Sequence, residues 1–313
     1  MTGLVADPVF LNHLAPPGHP ECEARMQALL DWALPLRSDP RVLWIEPRPA
    51  TREEIETVHD AEHFDAVAAT AGRELSLDPD TYTSPLSFET ALLAAGSCID
   101  LVDAVLDGRA ANGIALIRPP GHHAETNRAM GFCLFNNIAV AAAHARRRGL
   151  NRVLIVDWDV HHGNGTQEIF EEDPSVYFVS LHQYPFYPGT GAAQEIGRGP
   201  GEGFTLNIPM RAGCGDFDYL KRFQEKIVPA GIQFRPDLVL ISAGFDAHAR
   251  DPLGGMRVTT PGFAQLADQL LALARETCGG KIVAVLEGGY DLLALRNSVE
   301  AVANRFFEEG AHS

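Results

Sequence analysis

Short apolar runs alternating with helical patterns predict an α/β fold: a mostly parallel sheet with helices on both faces. Three observations carry this. Apolar runs of strand length fall at 113–118, 152–157, 176–181, 238–242 and 281–286, with a weaker one at 204–208. Helical spacing marks 52–71, 87–106, 135–148, 217–227, 260–275 and 292–307. At 313 residues and 46% hydrophobic content, the chain can bury one large core. No repeat or composition shift marks a linker, so one domain spanning 1–313 is expected.

In chain order, 52–71 carries His59 and His63 at helical spacing without the metalloprotease HExxH pattern. They read as a helix-start contact and a surface residue. The stretch 76–88, with Asp78 and Asp80, reads as a rim loop. Ser87, followed by Glu89, Thr90 and an alanine-leucine run, opens the helix at 87–106, and Gly108 stops it.

The strand at 113–118 runs into Arg118-Pro-Pro-Gly-His122-His123-Ala-Glu125. Prolines stiffen this turn, and a neutral imidazole in such a pair can take a proton while its neighbour modulates the charge. The helix at 135–148 ends on Arg146, Arg147 and Arg148, where cations suit the helix dipole.

The strand at 152–157 leads into the densest cluster, Asp157-Trp-Asp159-Val-His161-His162-Gly-Asn164. In open α/β sheets ligands collect at carboxyl strand ends. On an extended segment, Asp159 and His161 point the same way and can converge on one ion. A carboxylate with an imidazole suits Zn²⁺, Fe²⁺ or Mn²⁺. Two acids and two histidines behind an apolar strand are expensive to bury without purpose.

Proline and aromatic residues at 185–189 stiffen a long surface loop over 185–203 that is expected to shape a binding site. The strand at 238–242 ends in Ala243-Gly-Phe-Asp246-Ala-His248. Asp246 would be a third ligand that leaves a coordination position open, with His248 as its competitor. The strand at 281–286 ends in Glu287-Gly-Gly-Tyr290. There a glycine hinge could bring the tyrosine hydroxyl to a reacting carbonyl.

A formal charge of −16 argues against nucleic acid as a partner. Cys22, Cys98, Cys133, Cys214 and Cys278 form no CxxC pair, which fits a reducing compartment. Residues 1–20 lack the basic start and apolar core of a signal peptide, and no run is long enough to span a membrane. A soluble cytoplasmic protein is expected.

Six segments, RPPGHHAE, GFCLFNN, VDWDVHHGNGTQ, VSLHQYPFYPGTG, SAGFDAHARDPLGG and LEGGY, occur in this order. Together they resemble the zinc-dependent histone deacetylase family, in particular its class II and bacterial deacetylase-like members and their acetylpolyamine amidohydrolase relatives. The resemblance implies an arginase/deacetylase-like three-layer α/β/α sandwich around a central, mostly parallel eight-stranded sheet. It implies one catalytic Zn²⁺ held by Asp159, His161 and Asp246. His123 matches the general base and later acid, and His122 its partner; Asp157 and Asn164 orient the two. Tyr290 matches the oxyanion donor. Phe132 and Tyr187, with Gly131, match the walls of a channel for an aliphatic stem. Leu253 matches a rim residue and Arg25 an arginine lining an internal acetate channel. Structural K⁺ is implied at Asp157, Ser180 and Leu181 with Asp159 and His161, and a second K⁺ at Phe170, Asp173 and Val176.

On this resemblance the chain removes acetyl groups from lysine side chains of peptides or proteins, and it is compatible with homo-oligomers. An acetylpolyamine amidohydrolase is the alternative, although Leu253 replaces a glutamate that some polyamine enzymes carry at the rim. A manganese ureohydrolase would need Asp-x-His-x-Asp, whereas position 163 is glycine. A non-catalytic acetyl-lysine binder would not need His122, His123 and Tyr290 together. Which of Asp78 and Asp80 meets the substrate backbone stays open.

Overall fold

The structure, a computed structural model, describes residues 1–312. Its first third brackets the sheet edge. Strand β1 (Thr2–Ala6) is followed by helix α1 (Glu23–Ala33) and strand β2 (Val42–Trp44). None of these three was anticipated. The two strands hold few apolar residues, with Gly3 inside the first, and the buried Arg25 interrupts the apolar pattern of the helix. The helix expected over 52–71 is two pieces, α2 (Arg52–Ile55) and α3 (Ala61–Ala68). Tertiary bonds break it. His59 Nδ1 lies 2.9 Å from the Glu125 carbonyl, and its Nε2 accepts from the Asn136 N–H. His63 is buried against the Leu134 carbonyl, which corrects its reading as a surface residue.

A two-stranded hairpin, β3 (Leu75–Ser76) and β4 (Tyr82–Thr83), carries the segment with Asp78 and Asp80. Then come α4 (Ser87–Leu106), β5 (Asn112–Leu116), α5 (Asn137–Arg147) and β6 (Val153–Asp157). Arg146 and Arg147 fall in the last turn of α5, where the dipole argument puts cations, and Arg146 also donates to the carbonyls of Leu150 and Asn151 beyond it. An unanticipated helix, α6 (Asn164–Phe170), starts inside the acid-histidine cluster.

Strands β7 (Val176–Gln183) and β8 (Thr205–Met210) flank the long loop. The helix expected over 217–227 runs further: α7 (Asp216–Arg222) passes through a π turn at Phe223–Ile227 into α8 (Val228–Phe234). Strand β9 (Leu238–Ala243), helix α9 (Thr260–Cys278), strand β10 (Ile282–Leu286) and helix α10 (Leu292–His312) complete the chain.

Eight strands form one sheet in the order β2-β1-β5-β10-β9-β6-β7-β8, with every pairing parallel. Helices α4 and α5 pack together on one side, and α1, α10, α9 and α8 form a row of neighbours on the other. The central strands are buried on both faces, which is why they read as continuous apolar runs. The expected three-layer sandwich is therefore present. Its strand order also puts β5, β10, β9 and β6 side by side, with Ala115 opposite Val285, Val285 opposite Ser242 and Ser242 opposite Asp157. Four chemically loaded strand ends thus open into one crevice. Among the described residues no helix is long and apolar enough to cross a membrane.

Candidate active site

The crevice is built around three buried groups. One ligand atom each from Asp159, His161 and Asp246 lies within 4.8 Å of the others. His161 Nδ1 is 3.1 Å from Asp159 Oδ1 and 3.2 Å from Asp246 Oδ2. Backbone N–H groups aim the carboxylates: Gly288 donates to Asp159 Oδ2 at 2.9 Å and Val160 to Asp246 Oδ1 at 2.8 Å. A Cβ on Gly288 would lie 2.1 Å from Asp246 Oδ2, so only glycine fits this cradle.

These residues fit a divalent cation. Asp246 Oδ2 is buried with no hydrogen-bond partner. Burial, then the charge of Asp159, push the Asp246 carboxyl up to about 7. A cation between the carboxylates relieves both penalties, and two oxygens with one nitrogen match Zn²⁺ preferences. His248 is not part of the cluster. Its Nδ1 accepts from the Arg250 N–H, and its ring stacks on Phe263.

The paired histidines sit beside this cluster in opposite states. His122 Nδ1 is 2.8 Å from Asp157 Oδ2. Burial alone would lower His122, but Asp157, Asp159 and Glu287 outweigh it and raise it well above the ordinary value. His123 is lowered well below its ordinary value, first by burial and then by the charges of His122 and His161. Asn164 donates to Glu125 Oε1 through Nδ2, so its Oδ1, 2.7 Å from His123 Nδ1, must receive a proton from that ring. Nε2 of His123 is then left as an acceptor. The two rings, shifted in opposite directions, stand 4.0 Å apart.

A narrow pocket of about 80 Å³ reaches these groups, lined by His122, His123, His161 and Tyr290, and by Gly131, Phe132, Tyr187, Leu253 and Asp80. Gly131 is obligatory, because a Cβ there would lie 2.4 Å from the His123 ring. Phe132 is held at φ 69°, a left-handed conformation costly for a bulky side chain, with its N–H donated to Thr81 Oγ1. Of the two acids in the hairpin, Asp80 lines the pocket, while Asp78 Oδ1 accepts from the N–H groups of Asp80 and Thr81 and shapes the turn.

Tyr290 lies 5.9 Å from Phe132, and burial raises its hydroxyl well above the ordinary value. The glycines before it are tied down rather than free. Gly288 donates to Asp159, and the Gly289 carbonyl accepts from Arg25 Nε at 2.7 Å. Arg25 is fully buried, its guanidinium 5.0 Å from the Tyr290 ring centroid, and it pairs with Glu21, which also binds Arg118. Asp157 and Ser180 are register partners on β6 and β7, with Leu181 next along β7. Phe170, Asp173 and Val176 follow one another through the turn between α6 and β7, away from the pocket lining.

Sequence reasoning assigned no role to Glu287. Its Oε2 accepts the N–H groups of Gly121 at 2.7 Å and His122 at 3.1 Å, and burial pushes it up to about 7. It holds the histidine turn from below. The only signal was an acid directly after an apolar strand.

The histone deacetylase domain family matches residues 19–306. Histone deacetylase 15 of Arabidopsis thaliana is 48% identical over 290 residues, covering 91% of this chain and 52% of that protein. The polyamine deacetylase HDAC10 of Homo sapiens is 46% identical over 298 residues, covering 90% of this chain and 44% of that protein. The chain thus spans about half the length of these relatives. The crystal structure of the HDA15 HD domain superposes with a TM-score of 0.94 at 45% identity, over 98% of this chain and 88% of that one.

Proposed function

This chain belongs to the histone deacetylase family, and on that premise we propose that it is a zinc-dependent amidohydrolase that converts N-acetylated lysine side chains and water to acetate and free amine. The observation that carries the reading is one narrow pocket bringing a neutral imidazole and a tyrosine to a cation-binding triad. Asp159, His161 and Asp246 would hold the Zn²⁺, which when bound supplies Lewis acidity toward the amide carbonyl and toward water.

The chain's own residues do the rest. His123 Nε2 is the group poised to accept a proton from the attacking water, because burial keeps the ring neutral. His122, charged against Asp157, stabilises negative charge gathering at the carbonyl. The Tyr290 hydroxyl, kept protonated, donates to that oxygen. His123 then returns its proton to the departing nitrogen. Phe132 and Tyr187 flank a methylene stem, whose burial is worth about 0.8 kcal/mol per CH₂.

We further assign K⁺ to the oxygens of Asp157, Asp159, His161, Ser180 and Leu181, and a second K⁺ to Phe170, Asp173 and Val176. The pairing of Asp157 with Ser180 supports the first. Five unpaired cysteines support a cytoplasmic setting.

The test is competition of an acetyl-lysine peptide, acetylputrescine and acetylspermidine at equal concentration with zinc-loaded protein. Faster release of acetate from the peptide is expected; no release from any of the three would end the hydrolase reading. Similarity to a polyamine deacetylase favours the second reading, an acetylpolyamine amidohydrolase. Here Leu253 is informative because it lines the pocket without offering charge. Leu253→Glu should raise turnover of acetylspermidine relative to the peptide about tenfold, since a paired charge contributes about 1–3 kcal/mol. An unchanged ratio would show that position 253 does not select the substrate.

A further inference from the structure

Asp251 lies two residues before Leu253, is largely buried, and turns its two carboxylate oxygens to two different backbone segments. Oδ1 accepts the N–H of Leu253 at 2.9 Å and of Gly254 at 3.3 Å. Oδ2 accepts the N–H of Tyr290 at 2.6 Å, from a strand end 39 positions away. No lysine or arginine pairs with Asp251 among the described residues; its neighbour Arg250 turns to Asp291 instead. Its charge is therefore met by backbone N–H groups. A local turn explains the first two bonds, but not the third. The loop is fixed at its far side too, because Gly255 donates to Gln183 Oε1 at 2.8 Å.

We propose that Asp251 is a positioning residue that holds the Tyr290 backbone and the Leu253 rim in one frame, so that the tyrosine hydroxyl meets the carbonyl of a substrate entering past Leu253. The proposal rests on the hydrolase reading above. Burial makes the link stiff, since a buried N–H left without its acceptor is costly. With the Gly289 carbonyl held by Arg25 and the Tyr290 N–H held by Asp251, the tyrosine is fixed from both sides of one peptide unit.

The test is a double-mutant cycle in the full chain. In Asp251→Asn the local turn retains the amide oxygen, which leaves an NH₂ facing the Tyr290 N–H. We expect kcat to fall about tenfold or more with zinc content unchanged. In the Tyr290→Phe background the same substitution should cost less than about twofold, because the group it positions is gone. Equal losses in both backgrounds would overturn the proposal and leave Asp251 a structural turn residue. If Asp251→Asn does not fold, hydrogen exchange on the wild-type chain decides. The Tyr290 amide should exchange slowly although its side chain is only partly buried, and rapid exchange in the folded protein would also overturn it. A wild-type chain inactive on every acetylated amine would instead fail the hydrolase reading, with the exchange result still judging the Asp251 link.

Discussion

Asp246→Ala should yield a chain that neither retains zinc nor releases acetate. Three protein donors with one open position are what a catalytic zinc site needs, and this substitution leaves two. Residues that merely orient a ligand already cost about 10–100-fold in metal affinity when lost, so removing a ligand should cost more. The substitution also strips the Val160 N–H of its acceptor at 2.8 Å, a loss of about 1–3 kcal/mol that could blur the result. Asp246→Asn is the cleaner companion, because its amide oxygen can keep that bond. Both variants should show near-empty sites by metal analysis after dialysis, with the circular dichroism of the Asn variant unchanged. Full zinc occupancy in the Asn and Ala variants would remove Asp246 from the ligand set. His248 could not then take its place without abandoning the Arg250 N–H and the stack on Phe263.

Tyr290→Phe should separate chemistry from binding. The hydroxyl matters once the carbonyl oxygen gathers charge, so kcat should fall about 10²–10³-fold while KM changes little. Zinc content should match the wild type, because Tyr290 is not among the three clustered ligand groups. The ring's packing against Phe132 and Arg25 is kept by phenylalanine, so stability should move little. Near-normal kcat on the best acetylated substrate would remove the tyrosine from the mechanism. A large rise in KM with kcat preserved would instead make it a wall of the pocket.

Local pattern made much of this site legible. The strands ending at Asp157, Ala243 and Leu286 are apolar on both faces, so the acids following them stood out as misplaced. The chain direction then placed those acids at carboxyl ends. Strand β1 escaped because Thr2 and Gly3 leave it only three apolar residues, Leu4, Val5 and Ala6, and β2 because it has only three residues in all. The break between α2 and α3 escaped for another reason: the bonds that divert the chain run from His59 to Glu125 and Asn136, far along the sequence. Glu287 was visible as an acid, but its partners Gly121 and His122 lie 166 and 165 positions away.

The sequence by itself determined the kinds of chemical group present, the strand end each follows, and the alternation that commits the chain to a parallel sheet covered on both faces. Those properties depend on side-chain identity and on near neighbours, which a linear pattern records. Only the tertiary structure decided that β5, β10, β9 and β6 lie side by side, and so that His122, Glu287, Asp246 and Asp159 share one crevice. It also decided which histidine holds a second proton more tightly. His122 and His123 are adjacent and chemically identical, yet one faces Asp157 and the other Asn164. Strand pairing and burial join residues remote in the chain, and the proton affinity of a buried group is set by the charges brought against it rather than by its neighbours in sequence.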